Sequence, residues 1–209
     1  MTTAIAVSHG GHGVPPIPSM EGPAPKRIVV SFGFWIFLLS DIVMFSAIFA
    51  TYAVLARATA GGPTGAQLFH LTTVGVETTC LLLSTFTCGL MSLAINLGRR
   101  GATYLGGAVT FLLGAVFLTL EIREFAAMFA EGATPQRSAF LSGFFTLVGC
   151  HGLHVAIGLI WLTVMMVQVA SKGFSPFVHH RLLCFSLFWH ALDIIWVALF
   201  SIVYLMGAR

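Results

Sequence analysis

Five stretches of this sequence run for twenty or more residues almost free of charge, at about 32–56, 71–97, 103–127, 139–170 and 182–206. Each meets the ~20 residues needed to cross ~30 Å of hydrocarbon. Only helices and closed barrels satisfy their backbone in lipid. Barrel strands alternate apolar and polar residues over ~10-residue segments, whereas Leu105–Leu120 and Ile194–Met206 carry no such alternation. The pattern therefore predicts an all-α membrane protein, a bundle of five transmembrane helices. Short connections predict that consecutive helices are antiparallel neighbours.

Composition agrees with a chain whose solvent is the bilayer. It is 57% hydrophobic and 8% charged, against roughly 25% charged in soluble domains. A net charge of +3 is too small to suggest nucleic acid, and the position of each cation says more than the sum. Lys26, Arg27, Arg99, Arg100, Lys172 and Arg181 fall at one end of the spans, and Arg57, Arg137 and Arg209 at the other. Positive loops stay inside, so the N-terminus is expected in the cytoplasm and the C-terminus in the periplasm. Residues 1–27, with His9-Gly10-Gly11-His12-Gly13 and Pro15-Pro16-Ile17-Pro18, read as a flexible cytoplasmic tail before a 28–209 transmembrane domain. Lys26 and Arg27 come at the end of that tail, directly before a full-length span, so the first helix is expected to be retained rather than cleaved. The Gly/Pro cluster at Ala60–Gly65 reads as a compact outer loop. No internal repeat stands out.

Ionisable groups inside the spans change the picture most. Asp41, Glu77, Glu121, Glu124, His151, His154, His190 and Asp193 all lie within apolar runs. An ionisable group there costs at least ~2.5–3.5 kcal/mol on insertion scales, so it faces protein or water and has a partner. Counting along the helices suggests an inner layer of Asp41, His190 and Asp193. An outer layer holds Glu77, Glu121 and Glu124 with Arg123, and His151 and His154 lie between the two. Glu121 and Glu124, three apart, share a helix face; they read as ion-paired at a helix end or as proton-transfer groups. Asp41, with no cation in its own helix, reads either as a proton-exchanging carboxyl or as a hydrogen-bonding acid that fixes packing. His151 and His154 also share a face. Haem or metal ligation competes there with a hydrogen bond to a carboxylate on another helix, and Gly149, Gly152 and Gly158 would let a second helix or a lipid headgroup approach. Cys80, Cys88, Cys150 and Cys184 offer no zinc-type spacing and read as small buried hydrophobes.

Two motifs carry a resemblance. Phe145-Thr146-Leu147-Val148-Gly149-Cys150-His151-Gly152-Leu153-His154-Val155 and Phe188-Trp189-His190-Ala191-Leu192-Asp193-Ile194-Ile195-Trp196 resemble subunit III of the haem–copper terminal oxidases. Gly33-Phe34-Trp35, Ser40-Asp41 and Glu121-Ile122-Arg123-Glu124-Phe125 agree, and the likeness covers essentially residues 28–208. Phe49–Leu55, Gly61–Gly65 and Val76-Glu77-Thr78 look like the five-helix form found in cytochrome bo-type ubiquinol oxidases. The seven-helix form has two further N-terminal helices and a Glu where this chain has Asp41. The resemblance implies a non-catalytic subunit in a bacterial inner membrane, with no catalytic, cofactor-binding or metal-binding residue of its own. Haems and copper are then expected in the partner subunit I, with further contacts to subunits II and IV and to bound phospholipids. The eight intramembrane groups become a structural, lipid-related or proton-related network. Two alternatives remain: the corresponding subunit of a short cytochrome c oxidase, and a stand-alone proton-coupled transporter.

Overall fold

The computed structural model describes residues 26–61, 65 and 71–207. Five helices follow one another: α1 (Lys26–Leu55), α2 (Leu71–Asn96), α3 (Arg100–Ala130), α4 (Ala139–Lys172) and α5 (Pro176–Leu199), the last continuing into a π-helical segment at Phe200–Leu205. Each is long and apolar enough to cross a membrane, and there is no strand among the described residues. The chain is a multi-pass membrane protein of the expected five-helix class. The expected tail, apart from its last two residues, and most of the outer loop lie outside the described residues.

The helices begin and end where local chemistry dictates, not where hydropathy stops. α5 starts six residues before the apolar run at 182, and α1 is already helical at Lys26, the first described residue. At α5 the reason is a cap: the Ser175 hydroxyl accepts from the Val178 N–H at 3.3 Å, with Pro176 in the first turn. Ser138 does the same for α4 through the Leu141 N–H. α2 and α3 end on Gly98 and Gly132, whose φ values of 66° and 73° suit glycine. Beyond each, the next N–H returns to a carbonyl of the last turn, Arg99 to Ala94 and Ala133 to Met128.

Packing centres on α5, the most enclosed span, while α1 is the least. Trp189 and Trp196, seven residues or about two turns apart, lie on one face of α5. The Trp189 ring fills a slot made by two glycines: a methyl on Gly158 would stand 2.7 Å from it and one on Gly114 3.0 Å. Its indole N–H donates to Ser84 Oγ at 3.0 Å. One side chain thus joins α2, α3, α4 and α5. Trp196 repeats the arrangement, donating to Thr78 Oγ1 at 3.1 Å and meeting Phe117 edge-on at 4.6 Å.

α2 and α3 form the closest pair. Gly106 leaves room for the Met91 backbone, which a methyl there would approach to 3.2 Å, and Thr87 and Thr110 join across the seam at 2.8 Å. Such small and hydroxyl-bearing contacts drive helix association where lipid supplies no hydrophobic force. α3, α4 and α5 also pack on their chain neighbours. The exception to the expected order is α1, which packs on α4 and α5 without substantial contact to α2. Hydropathy does not register that separation.

Candidate functional site

α1 reaches the bundle through aromatic rings and one carboxylate. Phe34 meets Trp161 and Phe45 meets His151 and His154. Between those rings, Asp41 Oδ1 lies 3.8 Å from His154 Nε2. His154 Nδ1 is 2.7 Å from the Cys150 carbonyl, which accepts only, so Nδ1 carries hydrogen. The ring thus turns Nε2 toward the carboxylate, at a distance beyond a hydrogen bond. No other acid and base side chains approach within 4 Å among the described residues.

His151, one turn away on the same helix, has a different setting. It is fully buried, caged by Trp196 at 5.1 Å, Phe117 at 5.9 Å and Phe45 at 6.4 Å between ring centres. Neither ring nitrogen has a hydrogen-bond partner. The motif's two histidines share a helix face, but one is packed in aromatic rings while the other meets an acid.

The outer acids converge from two helices. Glu77 of α2 and Glu121 of α3 are buried and Glu124 is half-buried, all within electrostatic reach of one another. The Tyr204 phenol, in the π-helical segment after α5, lies within electrostatic reach of all three. Gly152 makes the room: a methyl there would stand 2.6 Å from Glu121 Oε1. Neither Glu77 oxygen has a partner. Among the described residues Arg123 forms no ion pair with these acids, and it is too near Glu121 and Glu124 in sequence to share their face. Arg123 is exposed and lines a cavity of about 330 Å³ with Thr73, Glu124 and Glu131, because its place beside Glu124 in the helix turns it outward.

His190 and Asp193 form a third group. His190 Nδ1 is 2.7 Å from the Ser186 carbonyl, and its Nε2 faces Gly89 of α2. Asp193 is buried with Thr85 and His190 close to its carboxyl. Stacking of Phe37 on Phe188 places Asp41 level with Leu192, each one turn further along. The expected inner layer is thus level, but its members diverge: Asp41 faces α4, whereas His190 and Asp193 face α2. His154, expected above that layer, joins Asp41 in it.

The sequence left unassigned three residues that hold these groups: Trp189, Trp196 and Tyr204. The spacing of the two tryptophans by seven, with both glycine-bearing helices offering slots, was the available signal. Of the glycines expected to admit another helix or a lipid headgroup, Gly152 admits Glu121 of α3 and Gly158 admits Trp189 of α5. Among the described residues, no three His, Cys, Asp or Glu side chains are grouped as metal ligands would be.

Comparison with known proteins agrees across most of the chain. The model of a family described as cytochrome c oxidase subunit III matches residues 24–208. The cytochrome bo(3) ubiquinol oxidase subunit 3 of Pseudomonas aeruginosa is 53% identical over 177 residues, 85% of each chain. The quinol oxidase subunit 3 of Bacillus subtilis is 41% identical over 201 residues, 96% of this chain and 98% of that one. The cytochrome bo(3) ubiquinol oxidase subunit 3 of Buchnera aphidicola from Acyrthosiphon pisum is 41% identical over 177 residues, 85% of this chain and 86% of the other.

Proposed function

Since the chain belongs to the cytochrome c oxidase subunit III family, we propose that it is the non-catalytic subunit III of a proton-pumping, oxygen-reducing ubiquinol oxidase of an aerobic respiratory chain. The observation that carries this reading is the likeness to quinol oxidase subunits over nearly the full length of both chains. The fold supports it: the described polar groups join helices to one another. Haems and copper belong, on this reading, to subunit I, beside which this chain sits in the bacterial inner membrane. Its N-terminus is cytoplasmic and its C-terminus periplasmic, a reading supported by the distribution of basic residues. It contacts subunits I, II and IV and phospholipids, and supports assembly and sustained turnover. Asp41, Glu77, Glu121, Glu124, His151, His154, His190 and Asp193 serve as the intramembrane polar network of that subunit.

The test is purification of the tagged chain from native membranes under mild detergent. A haem- and copper-bearing complex that consumes oxygen with quinol is the expected result. A folded chain that purifies without haem-bearing partners would instead favour a transporter. A partner subunit II with a dinuclear copper site would make cytochrome c the donor.

A further inference from the structure

The acids at the outer end of the bundle lack donors. Six buried polar atoms there have no hydrogen-bond partner among the described residues: both Glu77 oxygens, Glu121 Oε2, Glu124 Oε1 and both His151 ring nitrogens. Glu77 and His151 are wholly buried and Glu121 is 3% exposed. The atoms belong to one region. Glu77 and Glu121 lie within electrostatic reach of Glu124, and the Glu121 carboxylate stands against Gly152, the residue after His151. Phe117, one turn before Glu121, meets the His151 ring. Native interiors leave few such groups unpaired, and bound water commonly completes them. Among the described residues no three of these side chains are grouped as metal ligands would be. Water donates to a carboxylate and bonds an imidazole nitrogen in either form, so it suits every member of the set.

A route to solvent adjoins them. The cavity of about 330 Å³ at the outer end of α2 and α3 is walled by Thr73, Leu120 and Glu124, with exposed Arg123 and Glu131 beside them. At ~30 Å³ per molecule it has room for on the order of ten waters. Its walls lead inward: Thr73 stands one turn from Glu77 on the same face of α2, and Glu124 one turn from Glu121 on α3. Glu124 both lines the cavity and belongs to the buried cluster.

We propose that bound water occupies the space among Glu77, Glu121, Glu124 and His151, and that it exchanges with the outer face through this cavity. The site is a water-bearing inlet that ends at His151. Counted from Ala139 at ~1.5 Å per residue, His151 lies roughly 18 Å along α4, beyond half of the ~30 Å of hydrocarbon. Buried as they are, the carboxyl and imidazole groups along the inlet stand in contact with the outer aqueous phase.

X-ray footprinting of the purified complex tests this, because radiolysis splits bound water in place and the hydroxyl radical oxidises the side chain beside it. Phe117, against His151, is compared with Phe185, equally buried between Trp161 and Trp189. Met128, on the cavity, is compared with buried Met91. Irradiation follows a brief transfer into heavy-oxygen water. Phe117 and Met128 are expected to be oxidised severalfold faster than their counterparts, and oxidised Phe117 to carry the heavy isotope. Ala127→Phe, on the exposed wall of the cavity, is expected to slow that uptake severalfold. Equal rates for Phe117 and Phe185 overturn the site and leave the carboxyls bonded directly to one another. Equal rates for the two methionines, oxidation of Phe117 without isotope uptake, or uptake that Ala127→Phe leaves unchanged, overturn the route through the cavity. A chain that purifies without partners is read in the same way, so the outcome is independent of the oxidase reading.

Discussion

Trp189 and Gly152 show how much of this bundle rests on single side chains. The Trp189 N–H satisfies Ser84 Oγ at 3.0 Å in a site without water access, and its ring fills the Gly114–Gly158 slot. Trp189→Phe removes the donor and part of the ring, so a loss of about 1–3 kcal/mol is expected for the stranded buried partner. A thermal unfolding temperature equal to the parent's in the same detergent would contradict that role. Gly152→Ala drives a methyl to within 2.6 Å of Glu121 Oε1, and overpacking of this kind costs about 1–3 kcal/mol. The carboxyl is enclosed and cannot simply swing away. Glu121→Asp withdraws it by one methylene, so Gly152→Ala is expected to cost less in that background. Equal penalties in a double-mutant cycle would show that the two residues do not meet.

Helix ends obey a separate logic, because the apolar pattern reports only the part of each helix inside hydrocarbon. Caps and positive-φ glycines place the ends. Gly98→Ala and Gly132→Ala force left-handed backbone on a residue with a side chain, at about 1–2 kcal/mol each. Gly101, in the first turn of α3 with open space where a methyl would go, makes the contrasting case. Gly101→Ala is expected to leave stability unchanged or raise it by about 0.5–1 kcal/mol. Thermal denaturation of the three variants side by side separates the two outcomes. α1 is the element least secured by its own chain, held by rings from α4 and α5 and by the Asp41–His154 pair. Exchange of Asp41 and of His154 for alanine, singly and together, should show coupling between them. Strict additivity in retention of the subunit would dissolve the pair.

For the whole molecule, the separation of packing from redox chemistry is the property to test. Replacement of His151, His154 and His190 together is expected to leave the haem spectrum and copper content of the intact complex unchanged. Activity is the wrong readout, since a loosened complex also loses it. A stoichiometric loss of one metal with the subunit still bound would return these histidines to ligand duty. Orientation has its own measurement: a C-terminal phosphatase fusion should be active in the periplasm, and activity of a cytoplasm-only reporter at that position would reverse the topology.

The five spans were legible in the sequence because hydrocarbon imposes a length and forbids charge, and both constraints act on residues adjacent in the chain. The list of polar groups was legible for the same reason: Asp41 or Glu77 stands out against an apolar background whatever the helices around it do. Their partners were not. Helical period places Glu121 and Glu124 on one face and turns Arg123 off it, but does not say that Glu77 arrives from α2. Nor does it say that Asp41 and Asp193, level in the membrane, look toward different helices. Rotation of each helix about its axis is set by which side chains fill which slots, here Trp189 between Gly114 and Gly158 and Glu121 against Gly152. That fit is a property of two surfaces at once, and only the tertiary structure brings both together.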